Sequence, residues 1–208
     1  MKFLTDKTEI VFKELSQSAF INQFTFVGGS AIAFYLQHRL SEDLDFFYWE
    51  SQLPQGTNEF IKDISKHNNV VLGNLSSTYI DLFINDIKVT LFANDWFVLK
   101  ENRTNVLGNI FAADLKILCA MKINVLSLRA KFRDYYDLYV LNKSKFSIKD
   151  MYNISTQYIP GMTKKIFSMQ LSFIDDIEDE NILHLKPQYD VNLHDIQRHF
   201  DINLKKFI

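Results

Sequence analysis

Apolar positions in the first hundred residues recur at helical spacing and then in short strand-like runs. An amphipathic helix is predicted from Thr5 or Asp6, either of which can cap it, to about Phe20. Short runs rich in β-branched and aromatic residues predict strands at 23–27, 43–49, 70–75, 78–84 and 87–92, with helical runs at 30–36 and 59–67. Asn85 and Asp86 separate the last two strands as a tight hairpin turn would.

The pattern becomes helical after the polar stretch 100–105. Helices are predicted at 111–128, 131–142, 147–158, 163–177 and about 192–206, with breakers at Pro160-Gly161 and Pro187. Strands alternating with helices first, and helices alone later, are typical of an α/β or α+β sheet domain followed by a helical bundle. We therefore predict an α+β (α/β-like) fold, with a mixed-sheet domain over residues 1–105 and a helical bundle domain over residues 106–208.

Composition indicates a globular protein but does not indicate a function. With 47% hydrophobic residues over 208 positions, the chain can bury a globular core, and its formal net charge of −2 does not indicate a nucleic-acid binder. The single cysteine, Cys119, lies in an apolar run and suggests a packed thiol in a reducing, cytoplasmic setting. No apolar run approaches the roughly 18 residues of a membrane span, and the first residues lack the apolar core of a signal peptide.

A glycine pair stands between the first predicted strand and the helix that follows it. Gly28 and Gly29 end the run 23–27, and Ser30 opens the helical run. A strand that turns through glycines into a helix leaves backbone N–H groups at the helix start, where a phosphate is favoured. Ser30 is expected to cap this helix or to reach a phosphate oxygen.

Two carboxylates follow in the next predicted strand. Asp43 and Asp45 are two residues apart, so they share one face while Leu44 and Phe46 point to the other. Two carboxylates on one face suit Mg²⁺ (or Mn²⁺) that also binds a substrate phosphate. The glycine turn and the acidic pair together predict a nucleotidyl-transfer site. A solvated acidic strand end is the alternative.

The helical half carries a second group of charged residues. Lys122 and Arg129 are seven apart and share nearly one helix face, and Asp134 and Asp137 are spaced i, i+3 on the next helix. Arg133 is spaced to pair with Asp137. Two interpretations are open: an ion-pair network that joins two helices, or cations for a triphosphate or RNA with an extra acid near the metal.

These segments resemble a known family. Residues 28–30 and 38–46 (HRLSEDLDF) resemble the first motif of the AbiEii/AbiGii-type toxin nucleotidyltransferases, within the DNA polymerase β-like superfamily. Residues 120–122, Arg129 and residues 133–139 (RDYYDLY) resemble the second signature of that family, and the two signatures come in the same order.

The resemblance implies a bacterial two-domain nucleotidyltransferase that uses an NTP. It also implies the toxin of a toxin–antitoxin or abortive-infection system, with a cognate antitoxin as partner. The tRNA 3′ end is the first expected acceptor, and another RNA or a protein side chain is the alternative.

Many polymerase β-like enzymes take a third carboxylate from a later strand. Here the equivalent position is Thr90 (or Val89), which is not an acid. Asp81, on the preceding strand, replaces it only if the strand register puts both on one face. Otherwise the acid comes from Asp134 or Asp137, and Asp137 is predicted as the catalytic or metal-tuning acid. Without such an acid the attacking hydroxyl lacks its usual general base.

The chemistry of phosphoryl transfer assigns the remaining roles, because the triphosphate charge must be neutralised and the reacting oxygens aligned. The predicted catalytic residues are Asp43, Asp45 and Asp137, the first two also being the metal ligands. The predicted nucleotide- and phosphate-binding residues are Gly28, Gly29, Ser30, Arg39, Ser41, Lys116, Lys122, Arg129 and Asp134. For Arg39, a surface salt bridge to Glu42 or Asp43 is an equal alternative. The alternative function is a catalytically degenerate module that binds nucleotide or nucleic acid.

Overall fold

The chain divides into two compact units, Met1–Asp114 and Leu115–Ile208. The computed structural model describes residues 2–174 and 176–207. Met1 and Ile208, at the ends of the two predicted domains, and Asp175, in the predicted helix 163–177, lie outside these described residues. The domain division predicted at residues 105/106 stays a prediction.

The first unit is built on one mixed sheet. Its strands are β1 (Thr25–Val27), β2 (Leu44–Tyr48), β3 (Val70–Leu75), β4 (Tyr79–Ile84), β5 (Ile87–Ala93), β6 (Thr104–Leu107) and β7 (Ile110–Ala112). They are ordered β3-β4-β5-β2-β1-β7-β6. The pairs β2–β5 and β1–β7 are parallel, and the other neighbours are antiparallel.

Helices accompany the sheet in the first unit and make up most of the second. The first unit contains α1 (Asp6–Leu15), α2 (Gly28–Leu36) and α3 (Thr57–Ser65). The second contains α4 (Leu115–Arg129), α5 (Phe132–Ser144), α6 (Ile148–Tyr158), α7 (Lys164–Ser172) and α8 (Leu193–Phe207). The predicted α+β class, with a sheet followed by a helical bundle, is confirmed. No helix within residues 2–174 and 176–207 is long and apolar enough to cross a membrane.

Side-chain alternation gives the sheet one apolar face. The register places Leu44, Val89 and Leu82 side by side on β2, β5 and β4, and each is at most 1% exposed. The next row on this face consists of Phe46, Leu91 and Ile80, which are also buried. Phe12 of α1 packs on Phe26 of β1 with ring centroids 5.1 Å apart. The core of the first unit therefore lies on this face, and the residues between these rows point to the other.

The hairpin between β4 and β5 has the predicted turn. Asn85 and Asp86 both have positive φ, 49° and 68°. A two-residue type I′ turn needs positive φ at both positions, and Asn and Asp tolerate that conformation better than most residues.

Three predicted helices are wrong at one end. The first ends at Leu15 instead of continuing to Phe20, and a 3₁₀ turn follows at Ala19–Gln23. The helix predicted at 163–177 ends at Ser172. The helix predicted from residue 111 begins at Leu115, because Ile110–Ala112 forms β7. In β7, Ala112 pairs with Phe26 of β1, so strand pairing with a distant segment overrides the local helical preference.

Cys119 is fully buried in α4, as the sequence predicted. Burial raises the pKa of its thiol to about 12, so the thiol stays protonated at neutral pH and is a poor nucleophile.

Candidate active site

Gly28 joins β1 directly to α2, which begins there and not at Ser30. Its φ of +73° is one that glycine adopts most readily. A Cβ at this position would collide with the carboxylate of Asp45 and lie 3.2 Å from the Asp45 Cβ. The turn therefore needs glycine for its backbone conformation and for its close approach to the acidic strand.

Ser30 ties this turn to the segment that leads into β2. It is 2% exposed, its hydroxyl donates a hydrogen bond to the carbonyl oxygen of Asp43, and its Oγ lies 2.6 Å from the Oγ of Ser41. Ser41 is held in turn by backbone hydrogen bonds with Phe3 and Thr5. The predicted capping role is wrong, because the N-cap is Val27 and Ser30 lies inside the helix. The predicted contact of Ser30 with phosphate stays a prediction.

The acidic pair lies beside the glycine turn. Asp45 is half-buried on β2 opposite Val27, the last residue of β1, and Asp43 is exposed just before the strand. Among the described residues, no three His, Cys, Asp or Glu side chains are grouped to hold a metal ion. Two carboxylates beside a glycine turn fit a cation that takes its other ligands from substrate oxygens and water, as Mg²⁺ commonly does.

A polar row crosses the sheet between the two apolar rows. Thr90 on β5 is the register partner of both Asp45 on β2 and Asp81 on β4. Directly opposed residues point to one face, so all three side chains share the face that carries the acidic pair. The condition set for Asp81 from the sequence is therefore met. Thr90 Oγ1 donates a hydrogen bond to Asp81 Oδ1 at 3.2 Å.

The carboxylate of Asp81, however, already has several hydrogen-bond and ion-pair partners. It accepts hydrogen bonds from Tyr79 (2.7 Å) and Asn74 (3.4 Å), and Lys88 Nζ lies 3.1 Å from its Oδ1. Burial acts to raise the pKa of Asp81, but the hydrogen bonds from Tyr79, Lys88 and Thr90 and the positive charge of Lys88 outweigh it, so the pKa is lowered. A carboxylate with a lowered pKa is a weaker general base, so the surroundings of Asp81 favour a positioning role.

Lys88 was not singled out from the sequence. Burial acts to lower its pKa, but the hydrogen bond to Asp81 and the negative charges around it, Asp45 included, outweigh burial and raise the pKa. The run Ile87-Lys88-Val89-Thr90 alternates apolar and polar residues, and this signal puts Lys88 on the same face as Thr90.

Arg39 is 4% exposed, and its Nη1 donates to the carbonyl oxygen of Leu40 at 3.1 Å. Arg39 is therefore buried, and its predicted alternative, a salt bridge to Glu42 or Asp43, stays a prediction. The predicted phosphate-binding role of Arg39 stays a prediction.

The charged residues of the second unit form their own buried cluster. Lys122 Nζ on α4 lies 2.7 Å from Asp134 Oδ1 and 2.9 Å from Asp137 Oδ2 on α5. Their side chains are 10%, 8% and 0% exposed, in that order. Asp134 also accepts a hydrogen bond from the backbone N–H of Lys131 at the start of α5. These distances support the ion-pair interpretation of this cluster. Arg133 pairs with Glu180 at 2.6 Å.

Lys116 and Arg129 lie near the two ends of α4, and both are exposed. Their predicted contacts with phosphate stay predictions.

The variant Gly28→Ala is expected to lose about 1–2 kcal/mol of stability from backbone strain, and to displace the Asp45 carboxylate. Gly56→Ala is the matched control, because Gly56 has φ +90° but a Cβ there meets only ordinary contacts, the nearest at 3.5 Å. Denaturant unfolding should show similar losses for both variants. Only Gly28→Ala should lose the nucleotide transfer that the sequence predicts. Equal transfer by the two variants would contradict a role in transfer for the close approach of Gly28 to Asp45.

The family model described as the nucleotidyl transferase AbiEii toxin of type IV toxin–antitoxin systems matches residues 9–95. This range contains the glycine turn, the acidic pair and the whole polar row. An uncharacterised protein of Aquifex aeolicus (strain VF5), aq_aa25, is 23% identical over 189 residues, which cover 90% of this chain and 89% of that protein.

Two solved structures, one of them a nucleotidyltransferase toxin, are similar to the whole fold. The nucleotidyltransferase toxin MenT4 (Rv2826c) of Mycobacterium tuberculosis H37Rv aligns with a TM-score of 0.59 at 12% identity, covering 88% of this chain and 74% of that one. JHP933 of Helicobacter pylori aligns with a TM-score of 0.53 at 17% identity, covering 98% and 92%. The chain therefore has a nucleotidyltransferase fold, and its resemblance to the AbiEii nucleotidyltransferase toxin family is confirmed over residues 9–95, which contain the first motif.

Proposed function

We propose that this protein is a Mg²⁺-dependent nucleotidyltransferase that moves an NMP from an NTP to an acceptor. The observation that carries the proposal is the contact between the glycine turn and the acidic strand. Gly28 fits against the carboxylate of Asp45, and the Ser30 hydroxyl is bonded to the backbone of Asp43. One side of this junction offers the N-terminus of α2 to an anion, and the other offers two carboxylates to a cation.

Asp43 and Asp45 would hold Mg²⁺ or Mn²⁺, which supplies charge neutralisation on the phosphates and alignment of the attacking and leaving oxygens. Gly28 and Gly29 bring backbone N–H groups of the first turn of α2 close to the triphosphate, where the helix dipole favours negative charge. Ser30 and Ser41 keep the turn and the acidic segment together through their 2.6 Å contact.

The other predicted residues lie in the second unit. Lys116 and Arg129 are exposed, and we propose that they bind the triphosphate or the acceptor. Lys122 and Asp134 keep their proposed place among the nucleotide-binding residues. The complete burial of Asp137 and its ion pair with Lys122 support a positioning role for this residue more than a role as catalytic acid.

For the acceptor we propose the 3′ end of tRNA first, with other RNA or a protein side chain as the alternative. We further propose that the protein is the toxin of a bacterial toxin–antitoxin or abortive-infection system, that it acts in the cytoplasm, and that a cognate antitoxin is its partner. The match of residues 9–95 to the AbiEii toxin family supports this proposal.

A degenerate module that binds nucleotide without turnover is the second candidate. It is favoured by Thr90 at the strand position opposite Asp45 and by the engagement of Asp81 with Lys88. A general base contributes about 10²- to 10⁴-fold to such reactions, so its loss would leave binding with little transfer.

The test incubates the purified full chain with each of the four α-labelled NTPs, MgCl₂, and either bulk tRNA or total cellular protein. Label on the 3′ end of tRNA supports the first proposal, and label on protein supports the alternative acceptor. NTP binding by calorimetry without any transfer supports the degenerate module. If the protein neither binds an NTP nor transfers label, both candidate functions are overturned.

A further inference from the structure

Lys88 stands out among the residues that the sequence did not connect with the site. It lies on β5, two residues from Thr90, so both side chains point to the face that carries Asp45. Because Val89 is the register partner of Leu44, Lys88 lies one step along the sheet towards Asp43. A cation at this place adjoins the acidic pair.

The Lys88 side chain pairs with Asp81 and is also partly exposed to solvent. Asp81, itself 5% exposed, lies 3.1 Å from Lys88 Nζ and is fixed by hydrogen bonds from Tyr79 and Thr90. The Lys88 side chain is 38% exposed, so its ammonium group is accessible to a ligand. An ammonium group has three donors, and Asp81 occupies one of them.

The negative charges of the two carboxylates and of a bound triphosphate would be stabilised by such a cation. A triphosphate brought to Asp43 and Asp45 adds negative charge next to two carboxylates. One divalent cation offsets only part of this total, so a fixed ammonium group within reach of the phosphates stabilises the bound nucleotide.

We propose that Lys88 binds the β- or γ-phosphate of the nucleotide, and that Asp81, supported by Tyr79 and Thr90, is the positioning residue that aims it. This inference rests on the proposed nucleotidyltransferase function and adds a phosphate ligand to its site. It also explains why a buried acid on β4 aligns with Asp45 without acting as a base. The polar row thus replaces the usual third carboxylate with a carboxylate-held cation.

The experiment measures affinity by calorimetry in MgCl₂ for each NTP and for the corresponding NDP and NMP. Lys88→Met removes the charge and keeps most of the stem, and it should weaken NTP binding about tenfold or more, as expected for loss of a charge-assisted hydrogen bond. NMP affinity should stay unchanged, because the α-phosphate does not reach Lys88. Lys88→Arg should restore most of the NTP affinity.

Two further variants separate binding from folding. Lys66→Met is the matched control, since Lys66 also pairs with an aspartate, Asp63, at 2.7 Å, but at the exposed C-terminal end of α3. Asp81→Asn/Lys88→Met removes both charges together, so that no buried carboxylate is left without its cation. This double variant should melt close to the wild type and show the same selective loss of NTP affinity.

Three outcomes overturn the inference, and they are distinguishable. If wild type binds NTP and Lys88→Met binds it equally well, the inference fails and the proposed function stands. Equal losses for NTP and NMP in the double variant would assign Lys88 to the fold and not to the phosphates. If the wild type itself binds no NTP, the proposed function fails and takes this inference with it.

Discussion

The variant Asp43→Ala/Asp45→Ala is expected to lower nucleotide transfer by on the order of 10³-fold or more, because bound metal ions supply several kcal/mol of transition-state stabilisation. The Asp45 carboxylate lies against Gly28 and the Asp43 backbone is bonded to Ser30, and the described residues show no group of three or more metal-ligand side chains elsewhere. Growth arrest on expression in a bacterial host should disappear with transfer, if the protein acts as a toxin through this chemistry.

Loss of activity must be separated from loss of fold. Asp43 is exposed, so its replacement removes no buried charge, and Asp45 is half-buried at the end of the β1–β2 pairing. The double variant should therefore unfold close to wild type in denaturant. Glu59→Ala/Asp63→Ala is the matched control, since it removes two exposed carboxylates of α3 from the same unit. Transfer by the site variant at the wild-type rate would contradict the assignment, and so would an equal loss in the control.

Local patterns were enough to predict that the glycine turn and the acidic strand lie next to each other. The glycine pair and the Asp-x-Asp spacing act over fewer than twenty residues, and strand alternation alone decides which face the carboxylates take. The β4–β5 hairpin was predicted for the same reason, because Asn85 and Asp86 determine its turn locally.

The alignment of Asp81 with Asp45 had no local signal. It depends on the parallel pairing of β2 with β5, two strands far apart in sequence, and on the register that places Thr90 between them. A shift of that register by one residue would turn Asp81 and Lys88 away from the acidic pair. The same dependence on a distant partner explains why residues 111 and 112 of β7 were predicted as helix, since Ala112 pairs with Phe26 of β1 as well as with Thr104 of β6.

The charged cluster of the second unit shows a different limit. Spacing predicted that Lys122 shares a face with Arg129 and that Asp134 shares one with Asp137, and both an ion-pair network and a phosphate site satisfy that spacing. Burial favours the ion-pair network, because Lys122 is 10% exposed and its ammonium group lies 2.7 Å from Asp134 and 2.9 Å from Asp137. Burial depends on how α4 packs on α5, and residue spacing does not report it.

The variant Lys122→Met is accordingly expected to cost about 3–5 kcal/mol of stability, the usual penalty for breaking a buried ion pair from one side. It leaves Asp134 and Asp137 buried close to each other with like charges and without their shared cation. Denaturant unfolding followed by circular dichroism should show the loss in the transition of the helical unit. Arg129→Met, at an exposed position on the same helix, should change stability by no more than about 0.5 kcal/mol.

A compensated variant decides whether Lys122 acts through the fold or through the nucleotide. Lys122→Met/Asp134→Asn/Asp137→Asn removes the cation and both carboxylate charges, and replacing a whole buried ion-pair group is often close to neutral for stability. The triple variant should therefore recover most of the unfolding free energy lost by Lys122→Met. If transfer recovers with stability, the cluster is structural. If stability recovers and transfer stays lost, the predicted role of Lys122, Asp134 and Asp137 in nucleotide chemistry is supported. A purely structural cluster affects transfer only through stability, so both quantities would then recover together.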